Sequence, residues 1–232
     1  NETPEASGEL MTPVQVLAEV QVQRRIIPGS SLYGGLMAVL ESYRFQAFEA
    51  GGLLDSGRYA GSGGGILAGL GLAAKVDSRD NVFFPRQGRF WQVSAAFHSR
   101  IQGGDWSFSK LKADLRSYLA LGGSTVLGFQ VKLESVSGDV PFMALPKLGG
   151  ESLMRGYLNG RFRDRIFAGA QAEARFPLAG RLGAALFAGF GEVAERFGSL
   201  SLPGLKPSAG GGLRFRISDE GNTIRLDFGF GR

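Results

Sequence analysis

One arginine stands apart from the other basic residues of this chain. Arg155 lies in Leu148-Gly149-Gly150-Glu151-Ser152-Leu153-Met154-Arg155-Gly156-Tyr157, inside a turn-rich segment from Ser137 to Gly160. A guanidinium presents a planar fork of donors that can grip a carboxylate through two parallel hydrogen bonds. Loops of more than about 12 to 15 residues without their own secondary structure are usually functional or disordered. With strands on both sides, this one reads as functional. Asp77, Arg79 and Asp80 form a second concentration of charge. Carboxylates so placed can ligate a metal, but Asp side chains in a turn more commonly hold backbone N–H groups. His98 is the single histidine; it has no nucleophile beside it and reads as an ordinary residue of a polar strand face. Gly61 to Gly65 and Gly210 to Gly212 lack the following Lys-Ser/Thr and the helix that a phosphate cradle requires, and read as flexible loop and strand entry. No Ser-His-Asp arrangement or glycosidase-type carboxylate pair can be drawn. The chain is therefore read as a non-enzyme, with no metal and no cofactor.

These residues need elements to position them, and the elements are strands. Val14, Val16, Ala18, Val20 and Val22 alternate with Gln15, Glu19, Gln21 and Gln23, a period of two with one apolar face. A second long strand is expected from about Leu32 to Phe48. The pattern returns over Ile66 to Val76, Trp91 to Ile101, Lys110 to Leu119 and Leu127 to Glu134. It appears again over Ile166 to Phe176, Leu182 to Phe190, Leu213 to Ile217 and Ile224 to Phe230. Residues 192 to 212 are expected to be loop, and Asp219 to Asn222 a turn. About ten strands result, in an all-β antiparallel fold. Residues 1 to 11 form a polar N-terminal segment and 12 to 232 a single β-barrel domain.

Composition narrows the class. The 37 Gly, 18 Phe and 9 Pro in 232 residues, with no Cys, describe a folded chain without a disulfide framework. The net charge of +5 is spread singly, with no run of Lys and Arg, so nucleic acid is not an expected partner. No window of about 18 apolar residues exists for a membrane helix. The N-terminal residues lack the basic and apolar regions of a signal peptide, so the chain is read as mature or as a fragment. A soluble barrel buries its apolar strand face, whereas a membrane barrel turns that face to lipid and its charges to the lumen. Strands of about 9 to 11 residues span a bilayer when tilted, and the segments here reach that length, which favours the membrane barrel. Trp91, Trp106, Tyr33, Tyr43 and Tyr118, near strand ends, are then expected to form an interfacial girdle.

At Asp77-Ser78-Arg79-Asp80-Asn81 with Pro85-Arg86-Gln87-Gly88, and at Gly149-Gly150 with Leu153-Met154-Arg155-Gly156-Tyr157, the sequence resembles the C-terminal barrel of the BamA/TamA superfamily. Gly212 to Ile217 and Ile224 to Gly229 resemble the closing strands of the same family. The resemblance implies a transmembrane β-barrel of the bacterial outer membrane that acts in protein insertion or translocation. It also implies that the loop folds back into the lumen, where Arg155, beside Gly156 and Tyr157, pairs with Glu173 on the wall. Two departures stand out. Where the family carries Asp in a Phe-x-Asp-x-Gly pattern, Phe187-Ala188-Gly189-Phe190-Gly191 places Gly189, so either Glu192, Glu195 or Asp164 is the expected substitute or the lock is expected to be weaker. The strand count also falls short of the family's closed barrels, so the barrel is expected to be incomplete or reduced.

The partners expected are outer-membrane lipid or lipopolysaccharide, client outer-membrane or exported proteins, and a second copy of the chain. Two other readings stand beside this one: a passive outer-membrane anchor or pore for a fused exported domain, and a soluble ligand-binding β-barrel.

Overall fold

The computed structural model describes residues 11–52, 54–218 and 220–231, apart from the side chain of Phe48. Most of the polar N-terminal segment, and Asp219 of the expected 219–222 turn, therefore lie outside the described residues. Ten long strands are joined in one antiparallel sheet: β1 (Met11–Arg25), β2 (Leu32–Phe48), β3 (Gly65–Asp77), β4 (Gly88–His98), β5 (Phe108–Gly122), β6 (Thr125–Gly138), β9 (Ile166–Ala179), β10 (Leu182–Ala194), β11 (Lys206–Arg216) and β12 (Thr223–Gly231). Each pairs with the next long strand in the chain, β6 pairing with β9. Between those two, β7 (Lys147–Leu148) and β8 (Phe162–Arg163) make a two-residue ladder inside the 139–165 loop. Among the described residues the sheet does not close, because β1 and β12 each have a single neighbour.

Up-and-down connection puts the turns at two ends. One end has short turns at 26–31, 123–124, 180–181 and 217–222, together with the 78–87 loop. The other carries the 49–64, 99–107, 139–165 and 195–205 loops.

Exposure decides which face is wet. Leu36, Leu72, Phe97, Leu186 and Phe228, from five strands of one face, are 68, 64, 53, 59 and 63 % exposed. The opposite face carries Lys110, Lys112, Lys132 and Glu134 and is covered by loops. A sheet that shows a continuous apolar band and hides its charges is arranged for a hydrocarbon solvent. That arrangement argues against the soluble barrel, whose apolar face would be inside.

The buried core consequently lies between loops and wall. Tyr43, Leu67, Phe108, Val136, Met143 and Ala144 make one cluster. Leu148, Leu153, Met154, Tyr157, Phe162 and Phe167 make a second. Most of the second comes from the 139–165 loop.

Two expectations are corrected. The aromatic girdle does not form: Tyr43 is fully buried with Trp106 stacked on it at 6.1 Å, and register puts Tyr33 and Tyr118 on the covered face, leaving Trp91 on the bare face. Nearness to a strand end fixes depth, not the face. The 192–212 loop is also shorter than expected, since β11 begins at Lys206 and takes in Gly210 to Gly212. Small residues carry no alternation of hydropathy, so the ladder there left no pattern.

Replacing Leu72 by Arg, mid-strand on the bare face, is expected to cost about 2 to 4 kcal/mol in vesicles. Gln92→Arg on the covered face should stay within about 0.5 kcal/mol. Reversible urea unfolding of the intact protein in phospholipid vesicles measures both, and equal costs would remove the lipid-facing assignment.

Candidate functional site

The loop that carries Arg155 reaches the far edge of the sheet and lies on the backbone of β12. Gly156 has φ +106°, a conformation L side chains rarely adopt, and a Cβ there would sit 2.5 Å from the carbonyl carbon of Phe230. The strand makes matching room. A Cβ at Gly229 would lie 2.7 Å from the carbonyl carbon of Arg155, and one at Gly231 2.5 Å from the ring of Tyr157. Two backbones can touch only because these three positions lack side chains. Met154, fully buried, holds φ +58°, uncommon for a residue with a side chain. The Tyr157 hydroxyl donates to the carbonyl of Pro207 at 2.8 Å, and Ser208 Oγ donates to the carbonyl of Arg155. β11 and β12 therefore grip the tip together.

The guanidinium of Arg155 spans two strands. Its Nη2 donates to Glu173 Oε2 of β9 at 2.7 Å and its Nη1 to Asp227 Oδ2 of β12 at 2.8 Å. β10 and β11 lie between those strands. The gap is filled by Phe187, whose ring centroid is 3.4 Å from the Arg155 Cζ. Gly210 and Gly212 make the space: a Cβ at Gly210 would meet the Phe187 ring at 2.5 Å, and one at Gly212 would meet Asp227 Oδ1 at 2.2 Å.

Other guanidiniums share the same acids. Arg214 donates to Asp227 Oδ1 and, at 3.4 Å, to Glu173 Oε2. Arg175 Nε stands 3.9 Å from Glu173 Oε1. Arg155, Arg175 and Arg214 are all buried.

A second loop meets this group from the short-turn end. Asp80 Oδ1 accepts from the backbone N–H groups of Arg86, Asn81 and Gln87 at 2.9, 3.0 and 3.2 Å. Asp77 is bridged to Arg79 at 2.8 Å. A Cβ at Gly88 would lie 2.2 Å from the Ser78 carbonyl oxygen, so β4 can start only with glycine there. Asn81 Nδ2 donates to the Glu220 carbonyl at 2.7 Å, which ties the loop to the β11–β12 turn. The loop then delivers Phe84 beneath Arg175, 4.5 Å from its Cζ, and the Pro85 carbonyl to its Nη2 at 2.5 Å. Arg175 and Glu173 thus link the two inward loops. Partial burial works against ionisation of Asp80, but the three N–H donors outweigh it and hold its carboxyl below the ordinary value. No cluster of metal-ligating side chains exists among the described residues.

The structure brings Arg155 and Glu173 together, with Gly156 and Tyr157 seated on β12. Gly149 is also a point of close approach, since a Cβ there would lie 2.5 Å from the Leu158 carbonyl oxygen; Gly150 has open space. Asp77, Arg79, Asp80 and Gly88 belong to the other loop. None of the expected substitutes for the acid missing at Gly189 meets Arg155. Glu192 accepts from the Ser201 N–H, Asp164 from that of Arg165, and Glu195 is exposed. At Gly189 itself a Cβ would lie 2.5 Å from the Ala170 carbonyl oxygen. The second acid is Asp227, which sequence reading passed over. The alternation of Arg225 and Asp227 with Leu226 and Phe228 carried that signal, but one strand's pattern does not say which distant loop its inner face meets.

A family model for the Omp85 superfamily domain matches residues 6–231. Among solved structures, the chain is similar to the crystal structure of BamA from Haemophilus ducreyi lacking POTRA domains 1-3. The TM-score is 0.67 at 13 % identity, over 95 % of this chain and 51 % of that one. This chain therefore spans about half the length of that one, and the likeness is one of fold. No curated protein matches the sequence.

The Asp80 turn carries a pH dependence. With its carboxyl held below 3.8 in the folded state, its stabilisation is complete above that ordinary value and is lost as pH falls through the lowered one. Pepsin cleavage near Phe83 and Phe84 is expected to accelerate only below about pH 4 in the native protein. In Asp80→Asn it should be fast at every pH where pepsin is active; equal rates for the two proteins would show that the carboxylate does not hold this loop.

Proposed function

The chain belongs to the Omp85 superfamily, and from that premise we propose that it forms the wall of a bacterial outer-membrane barrel that inserts or translocates other proteins, with Arg155 as the brace of its lumenal loop. The observation that carries this is the junction of Arg155 with Glu173 and Asp227, which fixes β12 to β9 through a loop crossing two intervening strands. No covalent step is invoked. A sheet edge offers unsatisfied N–H and C=O groups that can template an incoming strand through backbone hydrogen bonds. A wall that must open locally for a client needs its remaining strands held in register, and a buried guanidinium shared by carboxylates on two strands supplies register better than it supplies net stability. Outer-membrane lipid or lipopolysaccharide around the bare face and unfolded outer-membrane or exported proteins are the partners this reading requires.

The test is folding of an unfolded outer-membrane barrel protein added to phospholipid vesicles that contain the intact protein. The native protein is expected to accelerate that folding, and Arg155→Ala or Gly156→Val to reduce the acceleration by about tenfold, a barrier change of about 1.4 kcal/mol. Both variants should still show heat-modifiable mobility, the sign of a folded barrel. Absence of acceleration by the native protein would support the passive anchor instead. Full acceleration by both variants would remove the brace.

A further inference from the structure

Of the three buried arginines at this site, Arg175 alone makes no hydrogen bond to a carboxylate among the described residues. Its Nη2 donates instead to the Pro85 carbonyl at 2.5 Å, while its Nε stands 3.9 Å from Glu173 Oε1. An N–H···O bond closes at about 2.7 to 3.2 Å, so a shift of about 1 Å separates Arg175 from a grip on Glu173. Two rings hold it in place, Phe84 at 4.5 Å and Tyr118 at 5.4 Å from its Cζ. The carbonyl and the nearer ring both belong to the 78–87 loop.

Glu173 is also the carboxylate that holds Arg155 on β9. Its Oε2 accepts from Arg155 at 2.7 Å and from Arg214 at 3.4 Å, and its Oε1 accepts from no donor among the described residues. Glu173 and Arg175 lie two residues apart on β9, so they share one face and are neighbours along it. A buried guanidinium that loses an acceptor must find another, because leaving it unmet is costly. Glu173 is the one carboxylate that Arg175 pairs with among the described residues. With the Pro85 carbonyl withdrawn, a planar fork that took both oxygens of Glu173 would leave Arg155 with one acid in place of two.

We propose that the 78–87 loop guards the Arg155 junction: by giving Arg175 a neutral acceptor, it keeps that arginine from taking Glu173 away from Arg155. Arg175 is thus a positioning residue that acts through Glu173. Drawing the loop from its seat at the short-turn end loosens the hold of the 139–165 loop on the wall. Because a coupling free energy is reciprocal, releasing Arg155 also unseats the 78–87 loop. The inference rests on the reading of Arg155 as the brace of the lumenal loop.

Amide hydrogen exchange of the intact protein folded in detergent, read by mass spectrometry, follows residues 153–157 and 80–86 separately. Asp80→Asn, at a carboxylate that accepts from backbone N–H groups of the loop, and Phe84→Ala are each expected to speed exchange over 153–157 about tenfold. Arg155→Ala should speed exchange over 80–86 by a similar factor. Arg175→Gln removes the competitor, so alone it should leave 153–157 within about twofold of the native rate. In that background Asp80→Asn should no longer affect 153–157. Native exchange there in both loop variants would overturn the proposal. An Arg175→Gln protein as loose over 153–157 as Asp80→Asn would overturn it too, because Arg175 would then be a support and not a competitor. If Arg175→Gln loses heat-modifiable mobility, Arg175→Met takes its place, and the same loss in both is again the result for a support. Client folding in vesicles reads the brace on its own: reduced acceleration by Arg155→Ala with uncoupled exchange keeps the brace and removes the guard.

Discussion

A guanidinium enclosed at the junction of a loop and two strands constrains the rest of this structure. Arg155 is 5 % exposed, and a charge so placed is tolerated only when carboxylates meet it with good geometry. Glu173 and Asp227 do so from β9 and β12. Everything between them is shaped by that requirement: the Phe187 ring under the guanidinium, and small residues on β10 and β11 that let the loop approach. The glycines at 156, 229 and 231 complete it by letting the loop backbone lie on the strand. Removing one partner of a buried pair typically costs about 3 to 5 kcal/mol, whereas the intact pair adds little over an apolar substitute. The junction therefore specifies an arrangement more than it stabilises one.

The second constraint is the solvent. A sheet with Leu, Val and Phe on its bare face cannot bury them against itself, because the opposite face is occupied by charges and by two inward loops. Its apolar clusters are accordingly small and sit under the 139–165 loop, while the broad apolar band is left for lipid. The same inversion places Arg155, Arg175 and Arg214 on the covered face, where they share Glu173 and Asp227. That face meets ordered loops and polar backbone, and Arg175 also donates to the Pro85 carbonyl.

Much of this was legible in the residue order. Alternation located the strands, because a wall with one lipid face repeats every two residues, and it assigned Glu173 to the face that the loop later proved to cover. The prominence of Arg155 beside Gly156 and Tyr157 marked the loop. What escaped has physical reasons. Gly210 and Gly212 lie in a strand but carry no side chain to report it, since their task is to leave room for Phe187 and Asp227. Asp227 was visible as a polar position on β12, yet its partner lies 72 residues away in sequence, and no local period encodes that meeting. Tyr43 and Trp106 show depth without face in the sequence, which does not separate a core pair from an interfacial one.

The central claim is that Arg155 couples β12 to the loop through Asp227. A double-mutant cycle of Arg155→Ala and Asp227→Ala, measured by reversible urea unfolding of the intact protein in phospholipid vesicles, tests it most directly. A coupling of about 1.5 to 3 kcal/mol, the range for hydrogen bonds to charged groups, is the expected result. Additivity of the two substitutions to within about 0.5 kcal/mol would contradict the account.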